Sequence, residues 1–153
     1  MKAITVRQPW AWAILHGGKD VENRTRNIAG SYRGPLVIHA GLALDKAATL
    51  VPPLKSLPVD PFGIEGGLVR GVALGVVELS DTHAAPHCPG RMIVVVGDRY
   101  TRAWPDPETC SPWAEPNTHH LVLANPRPFP EPIPYKGALG LWNFPDELLP
   151  EGF

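Results

Sequence analysis

Short apolar runs bounded by glycine or proline follow one another along the chain and predict a series of β-strands. The runs are rich in Val, Ile and Leu and are too short for typical helices, which favours strands. They cover residues 3–6, 34–41, 70–81, 91–97, 119–125 and 138–144. The chain is therefore expected to form about six strands.

Two segments carry helical patterns instead. Pro9 suits the first turn of a helix that runs to about His16 and stops at Gly17 and Gly18. Residues 42–51 have helical spacing and good helix formers. Strands and helices do not alternate regularly. The pattern therefore predicts an α+β domain with a mixed, barrel-like sheet of about five or six strands and two or three short flanking helices.

Polar residues and prolines determine the expectations for the remaining segments. Residues 20–26 are typical of an extended polar strand, and residues 52–67 of a surface loop. The prolines within residues 126–137 lack N–H donors, so this segment is predicted to wrap the outside of the sheet. No internal repeat is visible, and 153 residues predict a single domain spanning residues 1–153.

The composition narrows the classes of partner. A formal net charge of -1 creates no global field that would draw the protein onto a polyanion, so any nucleic-acid contact must be local. Two cysteines make no disulfide framework, and no segment reaches the roughly 20 apolar residues that cross a bilayer, so a cytoplasmic protein without membrane contact is expected. Neither a G-x-G-x-x-G nor a Walker motif is present, and no cofactor is expected.

The segment Gly17-x-Lys19-x-x-Glu22-x-Arg24 carries the sharpest chemical signal. Glu22 and Arg24 share one face of a strand. Lys19 lies on the turn before that strand, where the alternation of faces does not apply. All three side chains can then line one cleft, while the alternative is a solvated edge strand whose charges discourage aggregation.

Four motifs in combination resemble the ASCH domain family, which is related to the PUA RNA-binding fold. They are R-Q-P-W at residues 7–10, G-x-K-x-x-E-x-R at residues 17–24, Y-R-G-P-L-x-I-H-A at residues 32–40, and N-P-R-P at residues 125–128. The resemblance covers nearly the whole chain. It implies a PUA-like β-barrel with surrounding helices, and a cleft beside the Lys-Glu-Arg motif that holds RNA or a nucleobase.

The residue types around this motif suit a base, which needs an aromatic surface for stacking and fixed polar groups at its edge. Trp10 and Trp113 are candidates for the stacking surface, whereas Trp12 and Trp142 fit a core role better. The polar candidates are Gln8 and Glu22 for the base edge, and Arg7, Lys19 and Arg24 for phosphates or carbonyls. The expected partner is RNA or a modified nucleoside, and the oligomeric state stays open.

Some ASCH proteins are amidohydrolases that deacylate N4-acylated cytidine with a lysine, a hydroxyl residue three positions later and a distant glutamate. Lys19 matches the lysine, but Glu22 stands where the hydroxyl residue is expected. Glu22 can still position a water as general base, with Lys19 stabilising the oxyanion and Glu78 or Glu65 as remote acid. Glu78 also fits a strand-end carboxylate beside an arginine. Binding is thus preferred, with this hydrolysis as the alternative and RNA cleavage as a third.

Histidines and cysteines offer metal-like chemistry without a recognisable spacing. The candidates are His83, His87 and Cys88 in T-H-A-A-P-H-C, joined by Cys110, His119 and His120. Their spacing fits no zinc ribbon, so incidental histidines in a proline-rich loop are the preferred interpretation and no metal is predicted. His39 ends a predicted buried strand and is expected to be a core or rim histidine.

Overall fold

A computed structural model describes residues 1–50, 68–85, 95–96, 99–100 and 110–153. The described elements are β1 (Lys2–Gln8), α1 (Trp10–His16), β2 (Val21–Arg24), β3 (Gly34–Leu44), β4 (Val72–Ala84), β5 (Val95–Val96), β6 (Arg99–Tyr100), β7 (His119–Pro134) and β8 (Leu141–Asn143), with 3-10 turns at Lys46–Leu50 and Asp146–Leu148. Within these residues α1 is the one α-helix. It has seven residues, so none of the described helices has the length or apolarity to cross a membrane.

The six longer strands form one mixed sheet in the order β2-β7-β4-β3-β1-β8. The pair β1 and β3 is parallel, and the other neighbours are antiparallel. This arrangement confirms the predicted α+β class and the mixed sheet. The described strands do not close into a barrel, since β2 and β8 form the two edges. The short strands β5 and β6 pair with each other in a separate ladder.

Buried apolar side chains cover both faces of the sheet. Successive residues of a strand point to opposite faces, so a continuous apolar run contributes to both. Leu36, Ile38 and Val77 face a cluster that includes the buried side of α1, whereas Val37 and Val76 face a second cluster. Trp142 packs on the second cluster and Trp12 against a small one around Ala13 and Ala48, and both are half-buried, so they cover the core rather than lie within it. His39 is buried with its Nε2 2.9 Å from the carbonyl of Tyr135, as expected of a core histidine.

The helix predicted over residues 42–51 is wrong. Residues up to Leu44 extend β3, because β1 continues alongside and pairs Gln8 with Leu44. The 3-10 turn Lys46–Leu50 follows, and its start is held by the Asp45 carboxylate, whose Oδ1 accepts a hydrogen bond from the Ala47 N–H at 3.1 Å. Strand pairing and this local side-chain bond prevail over helix propensity here.

The proline-rich segment at residues 126–137 does not wrap around the sheet as predicted, because most of it belongs to β7. Pro128 pairs with Gly75, and Pro134 with Val72, so the segment bonds to β4 on one side. The β2 strand pairs only with residues 119–122 of β7. Beyond that point β7 has an open edge among the described strands, where a proline without an N–H donor is tolerated.

The predicted strand at residues 91–97 lies outside the described residues except for Val95–Val96, which forms β5. The predicted loop over residues 52–67 lies entirely outside them. The remaining predicted strands are present with shifted ends. Residues 20–26 are represented by β2, and residues 70–81 by β4.

Candidate functional site

The turn between α1 and β2 positions the charged motif. The helix ends at Gly17, whose N–H donates to the carbonyl of Ala13, and Gly18 has a φ of +70°. Glycine adopts this left-handed conformation without the steric cost of a Cβ. The chain therefore reverses here, and the Lys19 N–H also donates to Ala13 at 3.0 Å before β2 begins.

Lys19, Glu22 and Arg24 converge on one another. Lys19 Nζ lies 3.2 Å from Glu22 Oε2, and Arg24 Nη2 lies 3.1 Å from Glu22 Oε1, so each carboxylate oxygen faces one cation. The exposed side-chain fractions are 3% for Lys19 and 11% for Glu22. The alternative of a solvated, charged edge strand therefore does not describe these two residues.

Two further contacts hold the cations in place. Lys19 Nζ donates to the carbonyl of Val21 and lies 5.7 Å from the centre of the Trp10 ring. Arg24 Nη2 donates to the carbonyl of Thr5 at 2.9 Å, which ties β2 to β1. Arg24 Nε is buried and has no hydrogen-bond partner among the described residues. One donor of this guanidinium is thus buried without a hydrogen bond.

An open cleft of about 590 Å³ lies over this charged group. Four of the predicted site residues line it, namely Arg7, Trp10, Glu22 and Arg24. Its other lining residues were not predicted from the sequence; they are Thr5, Asn23, Thr25, Gly41, Leu42, Ala43, Asp45, Ala138, Leu139 and Gly140. The last three belong to a turn that is far from the motif in the sequence. The glycine-rich run K-G-A-L-G was the one sequence feature that indicated a turn there.

Asp45 is the most informative of the missed residues. Its Oδ2 accepts a hydrogen bond from Trp10 Nε1 at 3.0 Å, which fixes the orientation of the indole at the cleft wall. Two apolar side chains at the rim are strongly exposed, Leu42 at 77% and Leu139 at 98%. The cleft therefore combines one oriented aromatic ring, mixed charges and an apolar rim.

Three predicted ligand residues lie elsewhere. Lys19 sits behind Glu22 and lines a smaller pocket of about 90 Å³. Gln8 is buried, and its amide bridges the carbonyl of Val69 and the N–H of Trp12, so its hydrogen-bonding groups are used within the fold. Trp113 supports the cleft wall indirectly through an edge contact with Trp10 at 6.4 Å between ring centres.

Of the two glutamates considered as a remote acid, Glu78 is the one that belongs to the described residues, and it does not line the cleft. On β4, the side chains of Val77 and Leu79 face the cluster that contains α1, and Glu78 lies between these two residues. Burial first, and then the charge of Glu78, raises the pKa of Tyr32. Glu65 lies outside the described residues.

A second group of titratable side chains forms where β4 and β7 meet the loop before β7. His83 pairs with His120 across the ladder, and His83, Cys110 and His120 place one ligand atom each within 4.8 Å of the other two. His119 pairs with Ala84 and is not part of this trio. His87 and Cys88 lie outside the described residues.

Comparisons with known proteins do not assign a family to the chain. R-Q-P-W spans the end of β1 and the start of α1, and G-x-K-x-x-E-x-R spans the turn after α1 and all of β2. A search found that neither a protein-family model nor a curated protein matches this chain.

Proposed function

We propose that the cleft binds a nucleobase or nucleoside, either free or at the end of a short RNA. The observation that carries the proposal is the joint position of Trp10, Glu22 and Arg24 on the wall of one cleft. A base needs an aromatic face, an acceptor and a donor in fixed positions. The cleft volume also lies within the roughly 300–1,000 Å³ common for small-ligand sites.

The unpartnered donor of Arg24 strengthens this proposal. A buried N–H without a hydrogen bond is costly, and such groups are rare in folded proteins. Arg24 Nε is buried without a partner among the described residues, and Arg24 is one of the residues that line the cleft. A ligand oxygen, such as a base carbonyl, would satisfy this donor after a shift of the guanidinium that opens the buried Nε to the cleft.

The charge balance favours a short ligand over a long nucleic acid. Among the described lining residues Arg7 and Arg24 are offset by Glu22 and Asp45. Tight binding to a polyanion requires several aligned cations that release counterions, and the net charge of -1 provides no wider field. We therefore place recognition at one or a few nucleotides.

We further propose that the chain is an ASCH domain with a PUA-like fold that acts in the cytoplasm. The motif positions support this assignment, because two of the four motifs meet at the cleft. R-Q-P-W contributes Arg7 and Trp10 to its wall, and G-x-K-x-x-E-x-R contributes Glu22 and Arg24.

Deacylation of N4-acylcytidine is the second candidate function, favoured by the 3.2 Å contact between Lys19 and Glu22. Two observations place it second to binding. Both Glu22 oxygens are engaged by cations, so the geometry leaves little room for this carboxylate to position a water as a general base requires. Glu78, the described candidate for the remote acid, also does not line the cleft. RNA cleavage has the same difficulty with its general base.

The arginine at the cleft mouth provides a direct test of binding. Arg7→Ala is expected to weaken binding of cytidine or N4-acetylcytidine by roughly 10-fold or more, because hydrogen bonds from charged donors contribute about 1.5–3 kcal/mol. Arg26→Ala is the matched control, since Arg26 is also exposed but does not line the cleft. Isothermal titration calorimetry measures both affinities.

The same samples separate binding from turnover. We expect one nucleoside to bind per chain with unchanged ligand on chromatography after long incubation. Equal effects of the two arginine substitutions, or no binding of cytidine, N4-acetylcytidine or a short single-stranded RNA, would contradict the binding site. Release of cytidine from N4-acetylcytidine would instead support the amidohydrolase.

A further inference from the structure

We propose that His83, Cys110 and His120 form a zinc site, separate from the cleft and independent of the function proposed for it. Two imidazole nitrogens and one thiolate are ligands that Zn²⁺ prefers, and a water can complete the tetrahedron. The three ligand atoms lie within 4.8 Å of one another. The sequence spacing did not reveal this site, because the β4–β7 register and a loop bring the residues together.

The hydrogen bond of His83 Nδ1 leaves the lone pair of Nε2 to bind a metal. Its Nδ1 lies 2.9 Å from Asp81 Oδ2, and an ionised carboxylate can only accept, so Nδ1 carries the proton. The lone pair is then on Nε2, which is buried and has no hydrogen-bond partner among the described residues. The His83 side chain is only 9% exposed. A carboxylate behind a histidine is the usual outer partner of a metal ligand.

The same reasoning applies to His120. Its Nε2 lies 2.9 Å from the backbone carbonyl of Glu115, which can only accept, so Nε2 carries the proton. The lone pair on Nδ1 then faces Cys110 Sγ at 3.4 Å. A tetrahedral zinc site places sulfur and nitrogen ligands about 3.5 Å apart, given the bond lengths to each. This pair therefore already has the spacing that zinc requires.

Hydrogen bonds from the following residues hold the loop that supplies Cys110. Ser111 Oγ donates to the Asp20 carboxylate and accepts from the Trp113 N–H at 3.0 Å. Asn23 Nδ2 donates to the carbonyl of Trp113 at 2.8 Å. The thiol is thus presented to the two histidines from an anchored loop. Because the three ligand atoms already lie within 4.8 Å of one another, closing a tetrahedral site requires shifts on the order of 1 Å.

The test uses the full chain after removal of metals with a chelator. Titration with Zn²⁺ is expected to show one ion bound per chain and a higher unfolding temperature. Co²⁺ as a spectroscopic substitute is expected to give a thiolate charge-transfer band and the strong visible bands of tetrahedral cobalt. Cys110→Ser should remove the charge-transfer band and weaken Zn²⁺ binding by about 100-fold or more.

An outer-partner variant distinguishes a metal site from a merely structural cluster. Asp81→Asn should weaken Zn²⁺ binding by about 10-fold to 100-fold, because the carboxylate that orients His83 is lost. Asp81 is 47% exposed, so its side chain is not needed for the core. Asp146→Asn, on an exposed carboxylate elsewhere, is the matched control and should leave the affinity unchanged.

A measurement on the unmodified protein covers the case in which Cys110→Ser does not fold. Bound Zn²⁺ should slow alkylation of Cys110, with the modified residue identified by peptide mass spectrometry. Three results would overturn the proposal: no stoichiometric binding of Zn²⁺, an alkylation rate of Cys110 that zinc does not change, or equal affinities for the Asp81 and Asp146 variants.

Discussion

Glu22→Ala is expected to lower the free energy of unfolding by about 3–5 kcal/mol, because it leaves a buried cation without its counter-charge. The Lys19 side chain is 3% exposed, and the Glu22 carboxylate is its one acidic partner among the described residues. The Val21 carbonyl would remain as a neutral acceptor. Chemical denaturation measures the change as a shift in midpoint at constant slope.

Two variants test whether the buried charge is the cause. Glu131→Ala removes an exposed acid on β7 and should change the free energy of unfolding by no more than about 0.5 kcal/mol. The double variant Lys19→Met with Glu22→Leu removes both charges and should recover most of the loss, as apolar replacements of buried ion pairs do. A loss below about 1 kcal/mol for Glu22→Ala would contradict the buried pair.

Gly75→Ala is expected to cost about 3 kcal/mol of stability, because the new methyl group has no space. A Cβ at this position would lie 2.5 Å from the carbonyl oxygen of Arg127 and 2.9 Å from Cα of Pro128, both backbone atoms of β7. Leu15 of α1 closes the third side at 3.0 Å. The two strands or the helix would have to move apart. Denaturant melts read by circular dichroism measure the loss.

The control for Gly75 is a glycine in open space. Gly30 has a φ of +55°, and a Cβ added there would have nothing within 4 Å, so Gly30→Ala carries only the backbone cost of about 1–2 kcal/mol. Gly75→Val should cost more than Gly75→Ala, because two further methyl groups enter the same gap. Equal losses for all three variants would show that the close approach of β7 is not the cause.

The local features of the fold followed from short-range chemistry. The helix Trp10–His16 lies where Pro9 and the glycine pair predicted it, because start and stop signals act through neighbouring residues. The strands β3, β4 and β7 contain the predicted apolar runs, since β-branched side chains favour extended backbone wherever the partner strand lies. The meeting of Glu22 and Arg24 also followed from strand alternation.

Features that depend on a distant partner were predicted poorly. Residues 42–44 join β3 because β1 offers hydrogen bonds that no local pattern reveals. The proline-rich part of β7 is a strand because one of its edges has no partner among the described strands. Gln8 is used inside the fold because Val69 and Trp12 surround its amide.

For the two candidate sites, the sequence by itself determined the residues of the charged motif, the presence of tryptophans for stacking, and the set of histidines and cysteines. Only the tertiary structure decided which of them meet. It buried Lys19 behind Glu22, because the turn after α1 directs that side chain inward. It also oriented the Trp10 ring through a hydrogen bond to Asp45, which follows the end of β3. It also placed His83 opposite His120 with Cys110 beside them, because cross-strand register brings together residues that are far apart in the chain.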